Sequence, residues 1–341
     1  MAMILRPKSD RGLSLSPLRA GSAAPAATPV PVWLRTAAAP SETFAPKGLE
    51  DAAFLAGAAL SLLDQRVRRQ ERWAGVWRQR LALAAAAVTA RQAGRGEDEA
   101  ALRDAVHLTR PGDDVGPAGR MLLAWRRLAA RPAEDLLTKK NLAAVLEEFG
   151  YAHDDEVVSD LADDLRQPGA GAGTVGILTG AFTIAEQRGY GRALGSWLAD
   201  ALLAQRLGWA HAMPLLGAEA VLGTSARPRR SAANSVATSI ETDPERAKGL
   251  LAAQARAALR AIDLSAELGR RADRLLAVAP KLRAKAADAV VERLLSDDAI
   301  VASEKIAGMS DRGLRRLFDR LVDLGAVREL SGRPTFRVYG L

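Results

Sequence analysis

The sequence predicts an all-α protein: a multi-helix body followed by a C-terminal winged helix-turn-helix of three helices and a β-hairpin. Three observations predict it. Between residues 49 and 280 the chain is rich in Ala and Leu, strong helix formers, and its apolar residues recur at helical spacing. No alternating β-branched run competes with that period before residue 325. After residue 283, three short helical segments are followed by two short β-like runs around a turn, the order of a winged helix.

Residues 1–48 hold seven of the sixteen prolines, among Ala, Ser and Thr. No helical period survives them, so this segment is expected to be a disordered tail. Trp33 and Leu34 form a small apolar island within it. Helices are expected over 49–69 and 73–93, broken by Gly94 and Gly96. The next spans 97–108, opened by Glu97, Asp98 and Glu99, charges that suit a helix N-terminus. Pro111 to Pro117 is a turn cluster. Further helices are expected over 118–131, 136–149, 154–165, 175–188, 193–207, 214–222 and 244–276. Residues 226–242, with Arg227, Arg229 and Arg230, are a connection.

The C-terminal module, 283–341, carries the most information. A helix over 286–295 is followed by a turn at Ser296, Asp297 and Asp298, then by a short second helix over 301–307. Ser310 is the N-cap of a third helix over 311–324. Leu314, Leu317, Phe318, Leu321 and Leu324 line one face of that helix, and Arg312, Arg315, Arg316 and Arg320 occupy the rest. Gly325 ends it as a C′ glycine. Runs at 326–330 and 335–339 flank the turn Ser331-Gly332-Arg333-Pro334. In such a module the third helix enters the major groove and its N-terminal side chains reach base edges. Arg312, Arg315 and Arg316 sit at that end. Ser310 and the helix N-terminus suit a phosphate, and Arg333 at the hairpin tip suits the backbone. From Ser310 to Leu341 seven Arg face four acids.

Composition removes several classes. The 341 residues contain no Cys, which excludes a disulfide scaffold, a thiolate metal site and a Cys nucleophile. His107, His153 and His211 lie far apart without ligand spacing, so neither a metal nor a Ser–His–Asp arrangement is expected. The net charge is +8, carried by 40 Arg and only 8 Lys. That Arg bias dilutes the C-terminal patch as a signal. No apolar run has the ~18 residues of a membrane span, and the first residues lack the apolar core of a secretory signal. The expectation is a soluble cytoplasmic protein.

The stretches WAGVWRQRLAL (73–83), EDEAALRDAVHLTRPGDDVGPAGRMLLAW (97–125), GWAHAMPLL (208–216) and the terminal RELSGRPTFRVYGL resemble an uncharacterised family of bacterial proteins. That resemblance covers most of 50–341 and implies no activity. More distantly, Gly189-Tyr190-Gly191-Arg192 before a helix resembles the end of the Fic motif, H-P-F-x-[DE]-G-N-G-R. The resemblance implies a phosphate cradle at Gly189, Gly191 and Arg192. The motif's His falls on Ile184 and its acid on Arg188, so base and metal ligand are both missing and no catalytic residue is expected.

Other signals are weaker. Gly171, Gly173 and Gly176 fit G-x-G-x-x-G, but a helix end precedes them where a dinucleotide fingerprint needs a strand. Asp160 and Asp164, one helical turn apart, belong to a solvated acidic face. The tryptophans, Trp73 and Trp77 among them, are expected in the core. The reading that results is a DNA-binding regulator without cofactor or catalysis, partnered by double-stranded DNA, with a body that dimerises or senses a ligand. The alternatives are a degenerate Fic-like nucleotide-binding protein and a protein-docking adaptor.

Overall fold

The structure is a computed structural model that describes residues 29–39, 46–110, 112–171, 173–219, 243–282, 286–332 and 335–341. Twelve α-helices account for most of them: α1 Val32–Ala38, α2 Leu49–Val67, α3 Ala74–Gln92, α4 Glu99–His107, α5 Gly116–Ala130, α6 Lys139–Glu148, α7 Asp155–Gly171, α8 Thr174–Gln187, α9 Arg192–Leu207, α10 Pro244–Val278, α11 Ala287–Ser296 and α12 Asp311–Asp323. Three short strands, β1 Ile300–Val301, β2 Arg328–Glu329 and β3 Val338–Gly340, form one antiparallel sheet in the order β1-β3-β2. Among the described residues no helix is long and apolar enough to cross a membrane.

The helix periods of the sequence become packing. The 35 residues of α10 span about 52 Å at 1.5 Å per residue. Their Ala-rich face lies against α2, where Ala52, Ala56 and Ala59 permit close approach. The α3 helix is the centre of the body and meets α5, α4 and α11. Trp77, Trp125, Trp197 and Trp209 are buried, and each indole N–H has an acceptor: Ala261 O at 2.9 Å, Thr89 Oγ1 at 3.0 Å, Ala124 O at 2.9 Å and Asp64 Oδ1 at 2.7 Å. The buried carboxyl of Asp200 on α9 accepts from the backbone N–H groups of Leu215 and Leu216 at 2.7 and 3.0 Å. Burial pushes its pKa well up, against the pull of those N–H groups. The main apolar core includes residues from Leu34 to Leu341, and a small second cluster gathers Ala299, Val301 and Val338 at the sheet.

Four expectations are corrected. Within the Pro-rich segment, residues 32–38 form α1, which docks by burying Leu34 and stacking Trp33 on Phe54 at 5.8 Å; residues 1–28 and 40–45 lie outside the described residues. The helix expected over 214–222 is a 3-10 turn at Leu216–Ala218, because Asp200 holds its amides; 220–242, including the Arg227, Arg229 and Arg230 segment, lies outside the described residues. No helix forms over 301–307. There, β-branched Ile300 and Val301 pair with Tyr339 and Val338, so a strand precedes residue 325. Tight turns follow from Ala302 to Gly308, whose φ of +80° favours glycine. Val301 and Ile306 alone never made an apolar stripe long enough for a helix. Finally, α7 continues past 165 to Gly171.

Candidate nucleic-acid interface

The α12 helix is built as its sequence dictates. The Ser310 hydroxyl accepts from the Gly313 N–H at 3.2 Å, capping the N-terminus. Leu314, Leu317, Phe318 and Leu321 are buried, and Phe318 stacks flat on Tyr339 of β3 with ring centres 4.3 Å apart. Gly325, at φ +64°, ends the helix: its N–H reaches Val322 O and the Ala326 N–H reaches Leu321 O at 2.9 Å. On the opposite face Arg312, Arg315, Arg316 and Arg320 are all exposed. Helical geometry puts them within about 140° of arc, with Asp319 and Asp323 between them. None of the four makes a salt bridge among the described residues.

Arg337 of the β2–β3 connection is near Asp319 of this face. The Glu329 carboxylate organises the start of that connection by accepting from the Ser331 N–H at 2.8 Å and the Gly332 N–H at 3.1 Å. Burial pushes its pKa up, but the hydrogen bonds from Ser331 and Gly332 and the nearby Arg337 bring it below the usual value. Arg333, expected at the tip, lies outside the described residues. Two neighbours that sequence reasoning missed are described: Phe336, 67% exposed at φ +55°, and Arg337, also exposed. An aromatic at positive φ facing water has no packing reason, and no periodicity predicts it.

The module is fixed to the body by a second feature without a local signal. Asp298, 0% exposed, follows α11, and three guanidiniums of the body converge on it. Arg80 Nε of α3 lies 2.8 Å from Oδ1, and Arg103 Nε of α4 lies 2.7 Å from Oδ2; Arg126 of α5 stands at 3.8 Å. Burial alone raises the Asp298 pKa, but Arg80, Arg103 and Arg126 bring it below the usual carboxylate value. Arg126 also meets His107 Nε2 at 2.9 Å. Burial first, and Arg126 next, push the His107 pKa down to about 4, so its imidazole is neutral at neutral pH. Arg80 and Arg271 donate to Leu341 O at 3.0 and 2.9 Å, securing β3. Gly340 lies so close that a Cβ there would come within 2.6 Å of Asp298 O.

The Gly189 turn joins α8 to α9. The Gly191 N–H donates to Tyr151 Oη at 2.6 Å and Arg192 Nη2 donates to Glu219 O at 3.2 Å, while the buried Arg192 Nε has no hydrogen-bond partner among the described residues. Ile184 is buried in the core, and Arg188 Nε pairs with Asp164 at 2.9 Å. Gly173 precedes α8 and Gly171 ends α7, so the G-x-G-x-x-G stretch joins two helices. Among the described residues no group of three or more His, Cys, Asp or Glu is arranged to hold a metal ion.

With this geometry in place, comparison assigns the chain to a family. It belongs to the family described as Protein of unknown function (DUF1403), which matches residues 22–341. No curated protein and no solved structure matches it.

Proposed function

We propose that this protein binds duplex DNA through the outer face of α12, with the β2–β3 connection as a wing. The observation that carries the reading is the unpaired state of four exposed guanidiniums on one helix. Elsewhere many arginines are paired, as in Arg35–Asp263, Arg127–Glu148 and Arg246–Glu186. Arg270 and Arg274 of α10 are likewise exposed without a salt bridge among the described residues, but α12 sets four such guanidiniums along one face, with Asp319 and Asp323 between them. In support of the reading, the order α11, β1, turns, α12, β2, β3 with β3 central resembles that of a winged helix, with turns where its second helix would be. Arg312, Arg315 and Arg316 lie in the first half of α12, the part that reaches base edges, and Arg320 lies a turn or more beyond. Ser310, already the cap, retains its O–H for a phosphate oxygen. Phe336 and Arg337 lie on the wing, where side chains of these kinds enter a minor groove.

The test is fluorescence anisotropy of the full chain on random duplex DNA across a salt series. The expected Kd is roughly 10⁻⁴–10⁻⁶ M at physiological salt. The Arg315→Ala/Arg316→Ala double variant is expected to weaken binding and reduce the slope of log K against log salt by about 2. No binding at low salt in either protein overturns the reading and leaves the module as a protein-docking surface.

A further inference from the structure

A cleft of about 1370 Å³ opens on the body, with no residue of α12 in its lining. Its walls come from the end of α2, the first turns of α3, the segment after α5, residues 208–213 and the end of α11. It is larger than the roughly 300–1,000 Å³ of an ordinary ligand pocket. Three cations line it, and two are already satisfied. Arg68 lies 2.8 Å from Asp64 and donates to Leu207 O, and Arg72 is bound to Glu292.

Arg78 is different. Its Nε donates to Ala129 O at 2.8 Å, which fixes the guanidinium in the wall, and it makes no salt bridge among the described residues. Burial alone pushes its pKa down, with no acid opposing. A partly buried cation without a counter-charge is costly, and an oxyanion accepting from both Nη groups relieves that cost. His211 stands in the same wall, held by an isolated bridge to Pro132. Burial and then Arg78 push its pKa down, so at neutral pH it is an uncharged imidazole that offers a hydrogen bond without adding charge. The acids of the cleft do not cancel Arg78. Glu71 and Glu134 are exposed to water at the rim, and Asp297 is bound to Arg293 at 2.8 Å. Val67, Ala74, Ala130 and Pro132 supply apolar wall.

We infer that this cleft binds a small organic oxyanion, a carboxylate or a phosphate monoester, anchored by the forked Nη groups of Arg78 and hydrogen-bonded by His211. The apolar wall takes the body of the ligand and Arg78 takes its head. Ser296 and Asp297 are part of the lining, so an occupied cleft touches the helix that precedes Asp298. The inference does not depend on DNA binding.

The test uses the full chain with three probes: phenyl phosphate, benzoate and inorganic phosphate. Calorimetry and thermal unfolding are measured for the wild type, Arg78→Gln and His211→Asn. Saturable binding of phenyl phosphate or benzoate at about 1 mM or tighter is expected, with a Tm that rises with the logarithm of concentration. Whichever of the two binds identifies the head group. Arg78→Gln is expected to weaken binding at least tenfold and His211→Asn severalfold. Calorimetry well below each variant's Tm separates lost binding from lost fold. No saturable response to any probe up to about 10 mM overturns the inference. So does a response unchanged in Arg78→Gln, or inorganic phosphate binding as tightly as both organic probes.

Discussion

Arg103 Nε and Asp298 Oδ2 lie 2.7 Å apart, both side chains buried, across 195 positions of sequence. This contact, with Arg80 and Arg126 beside it, joins the C-terminal module to the helical body. Removing the charge while keeping the shape, in Asp298→Asn, leaves buried guanidiniums uncompensated. The expected cost is about 3–5 kcal/mol, read from the urea midpoint. A loss under about 1 kcal/mol would show that the cluster does not hold the module.

His107 makes stability depend on pH. Its folded pKa of about 4 lies below the 6.5 of the free side chain, so folding favours the neutral ring. That contribution is complete above 6.5 and is lost as pH falls from there toward 4. Linkage gives a loss of roughly 2 kcal/mol between about pH 7 and pH 5. Asp298 does not contribute to this window: its pKa is lowered, so its stabilisation is complete above the ordinary carboxylate pKa and is lost only as the pH falls through it toward the lower folded value. Denaturation at the two pH values, repeated in His107→Gln, checks the prediction: His211, also lowered, adds to the loss and Asp200, raised, opposes it, so the His107 share is read as the change in pH dependence between wild type and variant.

Two glycines provide opposite tests of packing. A Cβ at Gly217 would stand 2.3 Å from the Trp125 ring, which is fully buried and has nowhere to move. Gly217→Ala is expected to cost about 1–3 kcal/mol. At Gly249, inside α10, nothing lies within 4 Å of the added methyl. Gly249→Ala is expected to stabilise by about 0.5–1 kcal/mol through helix propensity. Thermal unfolding of both, side by side, gives the signs.

Docking of α1 rests on Leu34, which is 1% exposed. Leu34→Ala is expected to cost about 2–5 kcal/mol. The neighbouring Arg35–Asp263 pair is exposed, and Arg35→Ala is expected to cost less than about 1 kcal/mol. Equal and negligible effects in both would show that α1 contributes nothing to the core.

Ser310 separates capping from phosphate contact. Ser310→Ala is expected to lose about 1 kcal/mol of stability. Ser310→Asp keeps a capping acceptor and its helix preference but places a negative charge where a phosphate would sit. On the DNA-binding reading its unfolding curve stays near wild type while its affinity for duplex DNA falls severalfold at low salt. Unchanged affinity would place the nucleic acid elsewhere.

The α12 helix was fully legible because everything that makes it is local. Its cap lies three residues from the donor it satisfies, its stripe repeats every turn, and Gly325 follows its last turn. The other long helices were legible for the same reason, with ends displaced by a few residues. The 301–307 segment was misread because Ile300 and Val301 answer to Tyr339 and Val338, on a strand nearly forty positions later. Asp297 and Asp298 read as turn residues, since an acid's value in a turn is visible locally and its three guanidinium partners are not.

The sequence by itself determined most of the long helices, where α12 starts and stops, and which of its faces carries arginine, because propensity, period and capping act within a few residues. Only the tertiary structure decided which arginines are free. Arg192 turns to Glu219 O, Arg80, Arg103 and Arg126 surround Asp298, Arg78 stands without an acid in a cleft, and the arginines of α12 face water. The physical reason is that a charge is paired or unpaired according to what lies within a few ångströms of it, and in this fold those neighbours come from segments as much as 228 residues away.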